Sequence, residues 1–308
     1  MNFRTTGILS FILIVLISYN YFSSKNKENT KIKQEESKKI TTILENDVTS
    51  FIYKNRNIKL DAKFTNEKES WVINYPISSI ADGNTIFNVL DPLLNSVYIQ
   101  KLENISKLED FGLKEPKIIY EINTKKDHKV FKLGNKSTTD NEVYVMKDND
   151  PNIYLVDSKL MYSVDRRFAE FRYKTILDFD REKTTEIELT NKNTSFILKK
   201  EKNYWNISSP YKAKANMSKV SELLNKLQNE RATDFVEDNP KDLKKYGLDK
   251  PWFVFSVKNG KNTSKISFGN QDGDFHFAQN NQVNSILRIS RAVSEKFKLD
   301  LNDLRDKK

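Results

Sequence analysis

Tyr246-Gly247-Leu248-Asp249-Lys250-Pro251 repeats, 135 residues further on, the pattern of Phe111-Gly112-Leu113-Lys114-Glu115-Pro116. Each copy reads aromatic, glycine, leucine, two charged residues, proline. The physical content is a helix stop. Glycine adopts the left-handed conformation just past a helix end without Cβ strain. The leucine that follows can fold back on the last turn, and proline keeps the helix from resuming. A short helix is therefore expected before each glycine, over Pro240 to Tyr246 and roughly Ser106 to Phe111, with a strand after each proline. The hexad has no special donor or acceptor, so its role is read as structural.

The repetition extends outward in both directions. Trp71-Val72-Ile73-Asn74-Tyr75-Pro76 matches Trp205-Asn206-Ile207-Ser208-Ser209-Pro210 at an offset of 134, and Asp82 matches Asn216 at the same offset. Leu133-Gly134-Asn135 matches Phe268-Gly269-Asn270 at 135, and Phe171-Arg172 matches Leu304-Arg305 at 133. Offsets this constant along the chain signify one duplicated domain; solenoid repeats have far shorter periods. The expected organisation is an N-terminal segment 1–24, a polar linker 25–42, a first unit 43–175 and a second unit 176–308.

Within the second unit, strands are expected over Glu186–Leu189, Ser195–Lys200 and Tyr204–Ile207. An amphipathic helix follows over Ser218–Asn229, with Val220, Leu223, Leu224 and Leu227 at helical spacing and Asn216 or Ser218 as its cap. A strand at Ala232–Val236, the hexad, and a meander then complete the unit. The meander strands are Trp252–Lys258, Ser264–Phe268, Asp274–Gln279 and Ser285–Ser290, with Asn259-Gly260 as a hairpin signal. The first unit has the same order. Its helix carries Ile86, Phe87, Leu90, Leu93 and Leu94, and Pro92 predicts a kink or early break there. Its meander strands are Lys117–Asn123, Lys129–Leu133, Glu142–Met146 and Asn152–Val156. Closing helices are expected over Ser158–Phe171 and Ala292–Phe297. The fold class is α+β: two tandem homologous domains, each an antiparallel sheet with helices packed on one face.

Thr5–Phe22 is an apolar run of 18 residues preceded by Arg4. As a helix it would reach about 27 Å, enough to cross a bilayer core. Tyr19, Tyr21 and Phe22 would lie at an interfacial aromatic belt. Small residues do not occupy the −1 and −3 positions of a cleavage site, and a lipoprotein cysteine is absent, so the run reads as an uncleaved signal anchor. Arg4 favours a cytoplasmic N-terminus, although Lys25 and Lys27 weaken the asymmetry. The reading is a single-pass protein of the cytoplasmic (inner) membrane with its body outside the cytoplasm, contacting the lipid bilayer through residues 5–22.

The chain of 308 residues contains no cysteine, which excludes disulfides and thiolate metal sites. Its net charge of +10 comes from 52 Lys and Arg against 42 Asp and Glu. The basic residues are interleaved with acidic ones, and no nucleic-acid-binding motif is visible, so a nucleic-acid partner is not expected. His128 and His276 do not align between the units, and they lack the acidic companions of a zinc site. Asp272-Gly273-Asp274 lacks the remaining ligands of a calcium loop and reads as a hairpin turn. Gly134-Asn135 and Gly269-Asn270 lack the spacing of phosphate loops and read as turns after strands. Trp71 and Trp205 read as core residues. No catalytic set, cofactor site or metal site can be named. Trp71, Pro76, Gly112, Pro116 and Gly134, with Trp205, Pro210, Gly247, Pro251 and Gly269, form the repeated structural motif. Arg166, Arg167 and Arg172, near the junction of the units, form a candidate docking patch.

The Trp-x-Ile-x-x-Pro segments, the helix after Ala81-Asp82, the Tyr-Gly-Leu-Asp-x-Pro hexad and the strand ending in Gly-Asn together resemble the bacterial domain-of-unknown-function family numbered 4340. The opening Met1-Asn2-Phe3-Arg4-Thr5-Thr6 with its apolar span is similar to that family's N-terminal anchor. Departures are Phe111 and Lys114 in place of the commoner Tyr and Asp, and Asn216 where the first unit has Asp82. The resemblance brings no catalytic residues. It implies an accessory role beside membrane ABC-type exporters of the kind linked to gliding motility. The leading expectation is a non-enzymatic, membrane-anchored binding or scaffold protein of the cell envelope. The alternative is a small-ligand receptor or enzyme with a cleft between the two units.

Overall fold

The computed structural model describes residues 35–67, 70–191, 194–297 and 301–306, together with Tyr21 and Lys25. The expected membrane anchor, apart from Tyr21, and most of the expected linker lie outside the described residues. Among the described residues no helix is long and apolar enough to cross a membrane. The chain divides into two compact units, Met1–Arg172 and Tyr173–Lys308.

The first unit is built on nine strands: β1 (Val48–Asn55), β2 (Leu60–Glu67), β3 (Ser70–Tyr75), β4 (Ser79–Ile80), β5 (Tyr98–Leu102), β6 (Ile118–Thr124), β7 (His128–Lys136), β8 (Glu142–Lys147) and β9 (Ile153–Asp157). They form one sheet in the order β4-β3-β2-β1-β6-β7-β8-β9-β5. The second unit repeats this with β10 (Glu186–Asn191), β11 (Thr194–Glu201), β12 (Tyr204–Ser209), β13 (Ala213–Lys214), β14 (Asp234–Asp238), β15 (Phe253–Asn259), β16 (Asn262–Asp272), β17 (Phe275–Asn280) and β18 (Ser285–Ser290). Its order, β13-β12-β11-β10-β15-β16-β17-β18-β14, is the same topology with every strand number raised by nine. All neighbouring pairs are antiparallel: hairpins join the sequential strands, while β1 with β6 and β5 with β9, like β10 with β15 and β14 with β18, pair across longer connections.

Each sheet buries one face under a single long helix. In the first unit Gly83–Leu94 places Ile86, Val89, Leu90, Leu93 and Leu94 against Phe51, Tyr53, Ile73, Tyr120 and Phe131. In the second, Met217–Asn229 places Val220, Leu223, Leu224 and Leu227 against Ile187, Leu189, Phe255 and Phe268. The caps are equivalent: Asp82 accepts the Thr85 amide at 2.8 Å, and Asn216 accepts the Lys219 amide at 3.1 Å. The Asp82 and Asn216 amides in turn donate to the carbonyls of Phe171 and Leu304, both at 2.7 Å, so the end of each unit is tied back to the start of its helix.

Five expectations are corrected. Of the kink or early break expected at Pro92, the break does not occur: the helix runs on to Leu94. Proline removes one amide in the last turn, and Ser96 Oγ covers the Pro92 carbonyl at 2.7 Å. The segments before the hexad glycines are single 3₁₀ turns, Leu108–Phe111 and Lys244–Tyr246. The closing helix of the first unit stops at Val164, and only a 3₁₀ turn, Phe168–Glu170, follows. Its backbone is drawn off by two buried tyrosines. Tyr120 Oη donates to the Val164 carbonyl at 2.7 Å, and Tyr53 Oη meets the Arg166 amide at 3.0 Å. The linker ends sooner than expected: Ile40 is buried in the core and Lys39 bridges to Val97. Finally, one face is not the whole account. Ile286 and Phe277 pack with Tyr246 and Leu248, whereas their chain neighbours Leu287 and Ala278 belong to the helix-covered core. Adjacent strand residues point to opposite faces, so the hexad segment covers part of the second face.

Candidate functional site

The repeated motif residues converge at one junction in each unit. Gly112 and Gly247 have φ of +66° and +65° with ψ of 21° and 22°, the left-handed conformation expected of them. The Gly112 and Leu113 amides donate back to Glu109 and Leu108 at 3.0 and 2.9 Å; Gly247 and Leu248 do the same to Lys244 and Leu243 at 2.9 and 3.0 Å. Leu113 and Leu248 are buried. Gly134-Asn135 and Gly269-Asn270 are not turns, as the sequence suggested. They lie inside β7 and β16, where the register with β8 and β17 slips. The slip is a β-bulge, and it aims each glycine at the hexad. A Cβ on Gly134 would overlap the Phe111 carbonyl, and one on Gly269 the Tyr246 carbonyl. Two motifs that look separate in the chain are the two halves of one contact, in which the hexad turn is docked on a strand bulge.

The other motif residues frame the sheet. Trp205 is buried on β12, and Trp71 is half-buried on β3 with its ring edge-on to Phe51 at 5.4 Å. Both hold the same backbone bond, accepting from Ala81 and Ala215 at 2.9 Å. Pro76 and Pro210 follow these strands through cis peptide bonds. Pro116 is buried beside Leu113, and Pro251 is half-buried.

The candidate docking patch does not hold together. Arg172 is only 2% exposed, bridged to Ala81, with its guanidinium over the Phe168 ring. That burial removes it from any docking surface. Arg166 is half-buried and spends Nε on the Ser163 carbonyl at 2.9 Å, which leaves Arg167 as the exposed member. His128 is exposed at the start of β7, 4.0 Å from Asp148. His276 is buried on β17, its Nδ1 2.8 Å from Ser294 Oγ. Asp272-Gly273-Asp274 forms the β16–β17 hairpin, with Gly273 at φ +58°. Among the described residues no group of three His, Asp or Glu could hold a metal ion.

Two polar clusters in the first unit were missed by sequence reasoning. In the core, Asn55, 1% exposed, donates to Tyr53 Oη at 2.8 Å and to Asp165 at 2.7 Å. Burial pushes both the Tyr53 and the Tyr120 hydroxyls above the ordinary tyrosine range. At the β8–β9 hairpin, Asp150 receives Tyr154 Oη at 2.6 Å, Asn152 Nδ2 at 2.6 Å and the Lys147 ammonium at 3.0 Å. Burial works against its ionisation, but these bonds prevail and hold Asp150 well below the usual carboxylate range. Burial and the bond to Asp150 raise the Tyr154 hydroxyl to about 12. Every polar group of both clusters named here has a partner, and none is a nucleophile set beside a base. The sequence traces are the spacing Tyr53-x-Asn55, which places alternate residues on one side of β1, and the Asp150-x-Asn152 pair in the β8–β9 connection just before Tyr154.

Two clefts among the described residues are small. One of ≈ 220 Å³ lies between Thr42–Thr49 and Thr124–Asp127, and one of ≈ 230 Å³ between Pro92–Val97 and Val156–Ser163. Both fall below the range of roughly 300–1,000 Å³ typical of ligand pockets. A wider depression of ≈ 760 Å³ is walled only by Glu230 and outward positions of the helix Met217–Asn229, so it is open surface.

A family model described as "Domain of unknown function (DUF4340)" matches residues 71–236 and again 205–308. The chain belongs to this family. The two matches begin at Trp71 and Trp205, the same strand position of each unit, and together they cover 71–308. No curated protein and no solved structure matches the chain. In this DUF4340 protein each match spans a tryptophan strand, a docked hexad and a bulge, all of them framework.

Proposed function

We propose that this DUF4340 protein is a non-enzymatic binding or scaffold protein of the cell envelope. In this reading residues 5–22 anchor it in the cytoplasmic membrane as a single span, and its two units sit outside the cytoplasm. The partner would be the membrane subunits of an ABC-type exporter, in line with the resemblance given above. The observation that carries the reading is where the polar groups go. The two first-unit clusters and the hexad junctions of both units are consumed by internal bonds that hold strands and turns. The framework is shared by the two units, as expected of a duplicated scaffold used to present contacts.

Zero-length crosslinking in native membranes, followed by affinity capture, tests this. The expected product is a covalent adduct with a transmembrane exporter subunit, lost when that subunit is deleted from the membrane. Recovery of the chain alone, or only in adducts with itself, overturns the scaffold reading. Protease treatment of spheroplasts checks sidedness: the body should be digested before the inner membrane is lysed.

A further inference from the structure

The two hexad turns share a backbone and oppose each other in charge. At an offset of 135, Lys107 corresponds to Asp242, Glu109 to Lys244, Asp110 to Lys245, Lys114 to Asp249 and Glu115 to Lys250. Every charged position from 107 to 115 is reversed in sign. The residues that do not change class are the inward ones: Leu108 and Leu243, Phe111 and Tyr246, the two glycines, Leu113 and Leu248, and the two prolines. All ten charged residues are exposed. Because the turns have matching glycine dihedrals and matching anchors on their bulges, the five charges are displayed on equivalent frames with inverted sign.

Internal pairing accounts for little of this. Glu109 and Lys114 form a bridge at 2.6 Å in the first unit, and a swapped bridge would conserve it. Yet among the described residues no bridge joins Lys244 to Asp249. Lys245 reaches instead towards Glu237 of β14 at 3.8 Å, and Glu115 towards Arg56 at 3.7 Å. Surface charges that drift independently have no reason to invert together. Charges that face one another do, since complementary potentials fix partner and register.

We infer that the hexad turn of the first unit docks on the hexad turn of the second unit of another copy of this chain. The contact is heterologous, so two chains can satisfy it reciprocally or many can satisfy it in an open row. It is electrostatic and weak per pair, and it weakens as salt shortens the screening length from about 10 Å at 0.1 M to about 3 Å at 1 M.

The test mixes ¹⁵N-labelled and unlabelled full-length chain at low salt and couples carboxylates to lysines with a carbodiimide. Mixed-isotope crosslinks should join the Glu109–Asp110 peptide to the Lys244–Lys245 peptide. Their yield should fall about tenfold in high salt, in Glu109→Lys/Asp110→Lys, or in Lys244→Glu/Lys245→Glu. Combining both double substitutions in one chain should restore crosslinking at the swapped positions, which a misfolded variant could not do. Absence of mixed-isotope crosslinks in the unaltered chain, or swaps without loss and rescue, overturns the inference. Because the probe is the chain itself, this result is independent of whether an exporter subunit binds.

Discussion

At the centre of the first sheet Tyr53 faces Tyr120 across β1 and β6; at the centre of the second, Leu189 faces Phe255 across β10 and β15. The topology is the same, yet one core contains two hydroxyls, a buried asparagine and the carbonyls they hold, whereas the other has Leu189 and Phe255 in place of the tyrosines, and its equivalent asparagine, Asn191, is exposed. Further along, His276 is buried where the first unit has Val143, and the polar pair Asp150 and Tyr154 corresponds to Val283 and Leu287 at an offset of 133. The comparison separates what defines the fold from what each copy has adapted. Apolar alternation, the capped helix, the hexad and the bulge are kept in both. Buried polar bonds are local solutions, each requiring its own set of partners.

The largest expected effect tests what is shared. Gly134→Ala and Gly269→Ala each force a Cβ into a carbonyl oxygen, and overpacking of this kind costs about 1–3 kcal/mol or more. Gly134→Ala should lower the denaturation midpoint followed through Trp71, and Gly269→Ala the midpoint followed through Trp205 and Trp252, in variants retaining one unit's tryptophans. Equal shifts in both units from either change would break the assumption that each unit has its own core.

Next comes a difference between the copies. Tyr120→Phe leaves the buried Val164 carbonyl without its donor, a loss of roughly 1–3 kcal/mol. The same position of the second unit is already Phe255, so the first unit alone should respond in urea titration. A negligible loss would mean the tyrosine network is dispensable and the two cores are closer than they look. Below this, Asp82→Ala and Asn216→Ala each remove a helix cap worth about 1 kcal/mol. Both should shift by similar amounts, and a marked inequality would show that the two helices are not held alike.

The smallest effect is confined to extremes of pH. Asp150 is depressed in the folded state, so its contribution is present above the ordinary carboxylate value and lost as pH falls below it. Tyr154 is raised to about 12, so its contribution is present below the ordinary tyrosine value of 10.0 and lost as pH rises from there. The first unit should therefore lose stability at both ends of the scale, and Asp150→Asn should flatten both limbs. Thermal scans across pH, followed through Trp71, measure this; an unchanged profile in the variant would remove the cluster from the comparison.

Much of the framework was legible without coordinates. The expected meander strands agree with those observed to within a few residues, because alternation of apolar side chains is written locally along each strand. Asn216 could be named as a cap for the same local reason. The closing helix of the first unit was overcalled because Ser158–Phe171 looks helical in isolation; its end is decided by Tyr53 and Tyr120, more than 40 residues distant in the chain. Gly134-Asn135 was misread as a turn because bulges depend on the partner strand, which no local window includes. Arg172 was read as a docking cation from its place near the junction of the units, and its burial, 2% exposed, depends on what packs around it rather than on its neighbours in the chain.

The chain alone determined that one module occurs twice, where its strands and main helix fall, and where glycine must take a positive φ. These follow from periodicity and from single-residue sterics, which act over a few neighbours. Tertiary structure decided that the hexad and the bulge are one contact, that its segment covers the face opposite the helix, and which polar side chains are buried. Those outcomes depend on what long-range pairing places opposite each residue, and that information is shared between distant segments rather than held by either one.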